Sequence, residues 1–111
     1  MTNIIVKLQI EGMHSWDNAF EKVSFLKHPH RHLFYITCKK KVNHDDRDVE
    51  FIVFKREIEK YIKDKYECSV KNLCDFKFKS CEMIACELLV KFDLSYCSVF
   101  EDNENGAEVI K

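Results

Sequence analysis

At 111 residues with 46% aliphatic, aromatic and cysteine side chains, the chain has single-domain length and can bury one core, with little room for an enclosed cavity. Its net charge of −1 comes from 18 basic and 19 acidic residues interleaved along the sequence, so there is no basic stripe for a phosphate backbone and nucleic acid is not an expected partner. No apolar run approaches the ~20 residues of a membrane span, and Met1-Thr2-Asn3 leads into a strand pattern rather than a signal peptide; the expectation is a cytoplasmic protein with no membrane partner.

Ile4, Val6, Leu8 and Ile10 alternate with Ile5, Lys7, Gln9 and Glu11, the period of two that marks a first strand with one apolar face. Gly12 is expected to break it, and Met13 to Lys27 to form a connection containing Trp16. A second strand carries His30, His32, Phe34, Ile36, Cys38 and Val42 on one face, and Leu33, Tyr35, Thr37, Lys39 and Lys41 on the other. The polar cluster Asn43-His44-Asp45-Asp46-Arg47 ends it. From about Glu50, Phe51, Phe54, Ile58, Tyr61 and Ile62 recur at the steps of an amphipathic helix. Tyr66 to Lys79 has no regular period. Ser80 is a good N-cap for a second helix, with Glu82 near its positive end and Cys81, Ile84, Ala85, Leu88 and Phe92 as its buried stripe. A third strand is predicted near Ser95 to Glu101, a tight turn at Asn105-Gly106, and a fourth strand from Ala107 to Ile110.

This order, ββααββ, predicts one α+β domain over residues 1–111: a four-stranded antiparallel sheet of two hairpins, with both helices on one face. The other face carries Ile5, Leu33 and Tyr35, which points to a homo-oligomer. The six cysteines contain no C-x-x-C pair, so reduced and mostly buried thiols are expected rather than a metal cluster.

Four of the five histidines lie between residues 14 and 32. His30 and His32, two apart on a strand, leave the same face about 7 Å apart. His14 continues the even-numbered series of Ile4 to Ile10, so a hairpin would bring it beside them. Three neutral imidazoles with an open position are the donor set of a catalytic zinc. A merely polar loop and strand end fits the spacing equally well. A cupin barrel also uses H-x-H, but two glycines and two helical stripes argue against that fold.

Taken in order, these marks resemble the 6-pyruvoyl-tetrahydropterin synthase and 6-carboxytetrahydropterin synthase family, which adopts the T-fold. The residues that carry the likeness are His14, the His30-Arg31-His32 pair, Asp48-Val49-Glu50-Phe51 ahead of the first helix, Ser80-Cys81-Glu82 opening the second, and Ser98-Val99-Phe100-Glu101 followed by Asn105-Gly106-Ala107. The resemblance implies a zinc ion (Zn2+) on His14, His30 and His32, and a pterin ring clamped by Glu101. It also implies a pocket at a subunit boundary in a trimer or hexamer. Two departures stand against the family's usual elimination chemistry. Leu26 lies near the position of its catalytic cysteine, and Lys63 to Lys79 contains no Asp-His pair.

Glu101 has its own chemical case, since a carboxylate accepts two parallel N–H bonds from a guanidine-like edge; as a bare residue it would instead begin an acidic turn. His44 and Asp45 are the candidates for substitute acid–base chemistry, with Arg47 to hold a phosphate or carboxylate, against the reading of a polar turn. His28 shares the parity of His30 and is a candidate base or fourth ligand, or is simply exposed. Cys81, near a helix N-terminus, either has a lowered pKa or is a buried, inert thiol. The expected function is a zinc-binding protein that acts on a pterin- or purine-like molecule with non-standard proton carriers. The alternatives are a non-catalytic binding protein for such a ligand and a structural, metal-braced oligomer.

Overall fold

In the computed structural model, which describes residues 1–111, the alternating pattern runs unbroken through Thr2–His14 as one strand, β1. Gly12 does not end it. The strand continues because glycine there makes room for two rings: a Cβ would stand 2.7 Å from Cε2 of Phe76 and 3.0 Å from Cε2 of Phe34. A 3₁₀ segment, Glu21–Lys27, crosses to β2, His30–Val42. These two strands pair antiparallel along their whole length, from Thr2 opposite Val42 to His14 opposite His30.

After β2 comes helix α1, Phe51–Tyr66, capped by the Glu50 carboxylate, which accepts from the amides of Ile52 and Val53. The segment without a sequence period contains a short strand, β3, Cys74–Asp75, parallel to Gly12 and Met13 of β1. Helix α2, Cys81–Lys91, starts at Ser80, whose hydroxyl accepts from the Met83 amide. Two further strands follow, β4, Tyr96–Glu101, and β5, Asn105–Ile110. The sheet therefore has five strands rather than four, in the order β3-β1-β2-β4-β5. Its α+β class and its ββααββ core are as the sequence predicted.

The last turn lies three residues earlier than expected, at Asp102-Asn103 rather than Asn105-Gly106. Asp102 and Asn103 take left-handed backbone (φ 55 and 58), which Asp and Asn tolerate better than most residues. Asn105 and Gly106 belong to β5, where a Cβ on Gly106 would meet the Val99 carbonyl at 2.2 Å.

One sheet face forms the core. Val6, Leu8 and Ile10 of β1, Phe34, Ile36 and Cys38 of β2, and Cys97 and Val99 of β4 pack in one cluster with both helices. Helix α1 buries Phe54, Ile58, Ile62 and Tyr66, while Phe51 stays exposed and Tyr61 packs against Phe92. Each fully buried Ile contributes about 1.5–3 kcal/mol relative to exposure. Glu87 of α2 ties the helices together. Its carboxylate accepts from Tyr61 Oη (2.7 Å) and Lys65 Nζ (2.8 Å), and from Tyr66 and Lys79. Burial alone would raise its pKa, but these donors outweigh it and hold the group at about 2.

All six cysteines are unpaired, with Cys38, Cys74, Cys81 and Cys97 buried. The opposite sheet face leaves Ile5 51% exposed beside half-buried Leu33 and Tyr35. The outer rim of β1 from Thr2 to Glu11 and the outer rim of β5 have no strand partner. No helix is long and apolar enough to cross a membrane.

Candidate metal centre

The register of β1 and β2 builds the site. His14 faces His30 across the hairpin, His32 lies opposite Gly12, and all three point to the core side at the end of the sheet. Their donor nitrogens lie within 4.8 Å of one another. The floor is Phe34, whose ring stands 5.3 Å from that of His14 and 5.8 Å from that of His32, both edge-on. Glu101, opposite Phe34 at the end of β4, enters from the third strand.

Each imidazole is oriented from behind through Nδ1. His14 Nδ1 lies 2.9 Å from the Lys79 carbonyl, His30 Nδ1 lies 2.9 Å from the His28 carbonyl, and His32 Nδ1 lies 2.8 Å from Asp102 Oδ2. Carbonyl and carboxylate oxygens only accept, so each Nδ1 carries the proton and each neutral ring turns a bare Nε2 lone pair to the common point. Nε2 of His14 and of His32 are buried and make no hydrogen bond. Two buried imidazole lone pairs with no donor, beside a third, are the arrangement a divalent cation satisfies, and three neutral histidines suit zinc. The donor set fits the metal that the sequence implies.

Charge gathers on the same spot. Glu101 Oε2 lies 2.9 Å from His14 Nε2, and Oε1 lies 3.6 Å from His32 Nε2. Burial works to lower the pKa of His14, but the nearby Glu101 carboxylate and the Lys79 carbonyl outweigh it and raise it above 6.5. The same His14 contact lowers the pKa of Glu101 despite its partial burial. Asp102 is lowered chiefly by His32 and then by the amide of Leu33, which it accepts at 3.0 Å.

An open cleft of about 380 Å³ lies beside the cluster, bordered by His14, His30 and Glu101 and by an apolar rim of Trp16, Leu26 and Phe78. Cys81 also borders it. Burial, followed by the charges of Glu101 and Glu82, pushes its thiol up to about 12, so it is the inert thiol of the two readings.

The remaining sequence candidates lie elsewhere in the chain. His28 contributes its backbone carbonyl, and its side chain is exposed. His44, Asp45 and Arg47 are exposed beyond the far end of β2, the thirteen-residue strand that starts at His30, about 40 Å along the strand. There His44 pairs with Asp48 (3.4 Å), Asp45 accepts from Thr2 Oγ1 (2.6 Å), and Arg47 donates to Asp46 (2.7 Å). The sequence reading missed Asp102 and the Lys79 carbonyl. The hairpin turn that aims Asp102 could be suspected only from the Asp-Asn pair at 102–103.

Fold and cluster together define the class: an α+β T-fold domain with a histidine triad at the connected end of its long hairpin. Solved structures that it resembles over nearly their whole length include 6-pyruvoyl tetrahydropterin synthases. The Plasmodium vivax enzyme superposes with a TM-score of 0.62 at 15% identity, covering 99% of this chain and 97% of that one. A catalytic-residue mutant of the same enzyme gives the same values. The Plasmodium falciparum enzyme superposes with a TM-score of 0.54 at 16% identity, covering 100% and 99%. No protein-family model and no curated protein sequence matches the chain. At these identities the likeness establishes the fold.

Proposed function

We propose that this is a zinc-binding protein of the 6-pyruvoyl/6-carboxytetrahydropterin synthase type, whose cleft takes a pterin- or purine-like small molecule. The observation that carries the reading is the convergence of three imidazoles, each fixed through Nδ1, with two buried Nε2 atoms left without a partner. His14, His30 and His32 would hold the ion. When bound, zinc supplies Lewis acidity toward a hydroxyl or carbonyl of the ligand. The Glu101 carboxylate has the chemistry to accept the N–H pair of a guanidine-like edge. Trp16 and Phe78 offer apolar faces to a flat ring at the rim.

His28, His44 and Asp45 remain the candidate proton carriers. From the end of β2, His44, Asp45 and Arg47 would serve a site only across a subunit boundary in a homo-oligomer, as a trimer or hexamer would provide. A second reading, binding without turnover, is favoured by one observation: Leu26, which cannot transfer a proton, borders the cleft.

Elemental analysis of the purified protein should find one zinc per chain, lost in His32→Ala. Calorimetry with guanine, pterin and purine nucleotides should then show saturable binding to the metal-loaded protein. Absence of zinc, or absence of heat with every compound, defeats the proposal. Chromatography of the incubated compound separates the two readings, since only an enzyme yields product.

A further inference from the structure

Glu101 lies closer to the histidine cluster than a grip on a distant ring edge requires. Its two oxygens stand 2.9 and 3.6 Å from Nε2 of His14 and His32. Donors that share a tetrahedral zinc at about 2.0–2.1 Å stand roughly 3.3 Å from one another, and the two distances bracket that spacing. Neither Nε2 atom makes a hydrogen bond, although Glu101 Oε2 stands 2.9 Å from that of His14. In the neutral rings Nδ1 carries the only proton, so acceptor faces acceptor, and a cation (the metal, or in its absence a proton on His14) has to separate the two.

We propose that Glu101 is a fourth protein ligand to the ion held by His14, His30 and His32, so that the centre is closed until an incoming molecule takes its place. The inference rests on the zinc-binding reading above and adds an exchange to it. Released from the ion, the same carboxylate is free to turn to the N–H edge of the arriving molecule, so vacating the coordination position and gripping the ligand become one movement. Cys81, bordering the same cleft, is the rival donor, and a thiolate would be the softer zinc ligand.

The test uses zinc and cobalt(II) alone, with the full-length wild type, Glu101→Gln, Glu101→Asp, Cys81→Ala and His32→Ala. Zinc affinity by chelator competition should fall at least about tenfold in Glu101→Gln, which keeps the side-chain shape, and also in Glu101→Asp, which withdraws the carboxylate by one methylene. The visible bands of the cobalt-loaded protein should change in both variants and stay as in the wild type in Cys81→Ala. Equal affinity and an unchanged cobalt spectrum in Glu101→Gln overturn the proposal while leaving the three-histidine site standing. A thiolate-to-cobalt charge-transfer band in the wild type, lost in Cys81→Ala, also overturns it, because the fourth donor is then sulfur. If the wild type binds neither metal, or His32→Ala binds as well as the wild type, the zinc-binding reading itself falls.

Discussion

Asp102 and His32 show how much of a metal site lies behind the ligands. The carboxylate holds the imidazole through Nδ1 and is itself held by the Leu33 amide, so ring rotation would give up the bond to a carboxylate already fixed in place. Asp102→Ala is expected to weaken zinc binding by about 10–100-fold while leaving far-ultraviolet circular dichroism unchanged. Protons should compete as well. His14 is raised above 6.5 in the metal-free protein, so filling the site must displace its proton, and affinity should drop as pH falls, by about tenfold per pH unit for each proton displaced. Zinc titration between pH 6 and 8 checks this, and a flat profile would contradict it. His14, His30 and His32 could be placed on one face from strand periodicity, whereas Glu101 was singled out through the family resemblance, since as a bare residue it reads as the start of an acidic turn. Asp102 was not legible, because its direction comes from a left-handed turn whose neighbours give no periodic signal.

At the scale of elements, the amphipathic stripes of α1 and α2 and the Ser80 cap could be read directly, whereas the Glu50 cap emerged only from the structure. The two-residue β3 could not be read, since two residues carry no period. Its existence depends on a tertiary fact: Phe76, just after it, lies fully buried under Gly12. The sequence reading therefore mistook a packing glycine for a strand terminator. Gly12→Ala should destabilise the fold by about 1–3 kcal/mol, measured by denaturant unfolding, because both rings must shift. An unchanged midpoint would mean that the rings yield freely.

Glu87 makes a second element-scale prediction. Its folded pKa of about 2 lies below the ordinary 4.5, so the stability it contributes is present above 4.5 and is lost as pH falls toward 2. Glu87→Gln should cost about 1–3 kcal/mol at neutral pH and flatten the decline of the melting temperature across that acid range. Since Lys79 also presents its carbonyl to His14, the same variant should loosen the metal site.

For the whole molecule, a half-buried apolar face opposite the helices argues for self-association. Ile5→Lys combined with Tyr35→Glu should shift sedimentation velocity toward the single chain, and a wild type already monomeric at high concentration would refute the oligomer. The two bare strand rims constrain what such an assembly looks like. They lie on opposite sides of one sheet, so pairing one with the other joins copies head to tail through main-chain bonds that ignore side-chain identity. A head-to-tail contact repeats itself. It closes into a ring where the rotation per copy divides a full turn, and otherwise runs on as a filament. Sheet twist would then decide between a finite particle and a fibre, and Lys7 and Glu11, charged residues along the β1 rim, stand where a fibre would have to be refused.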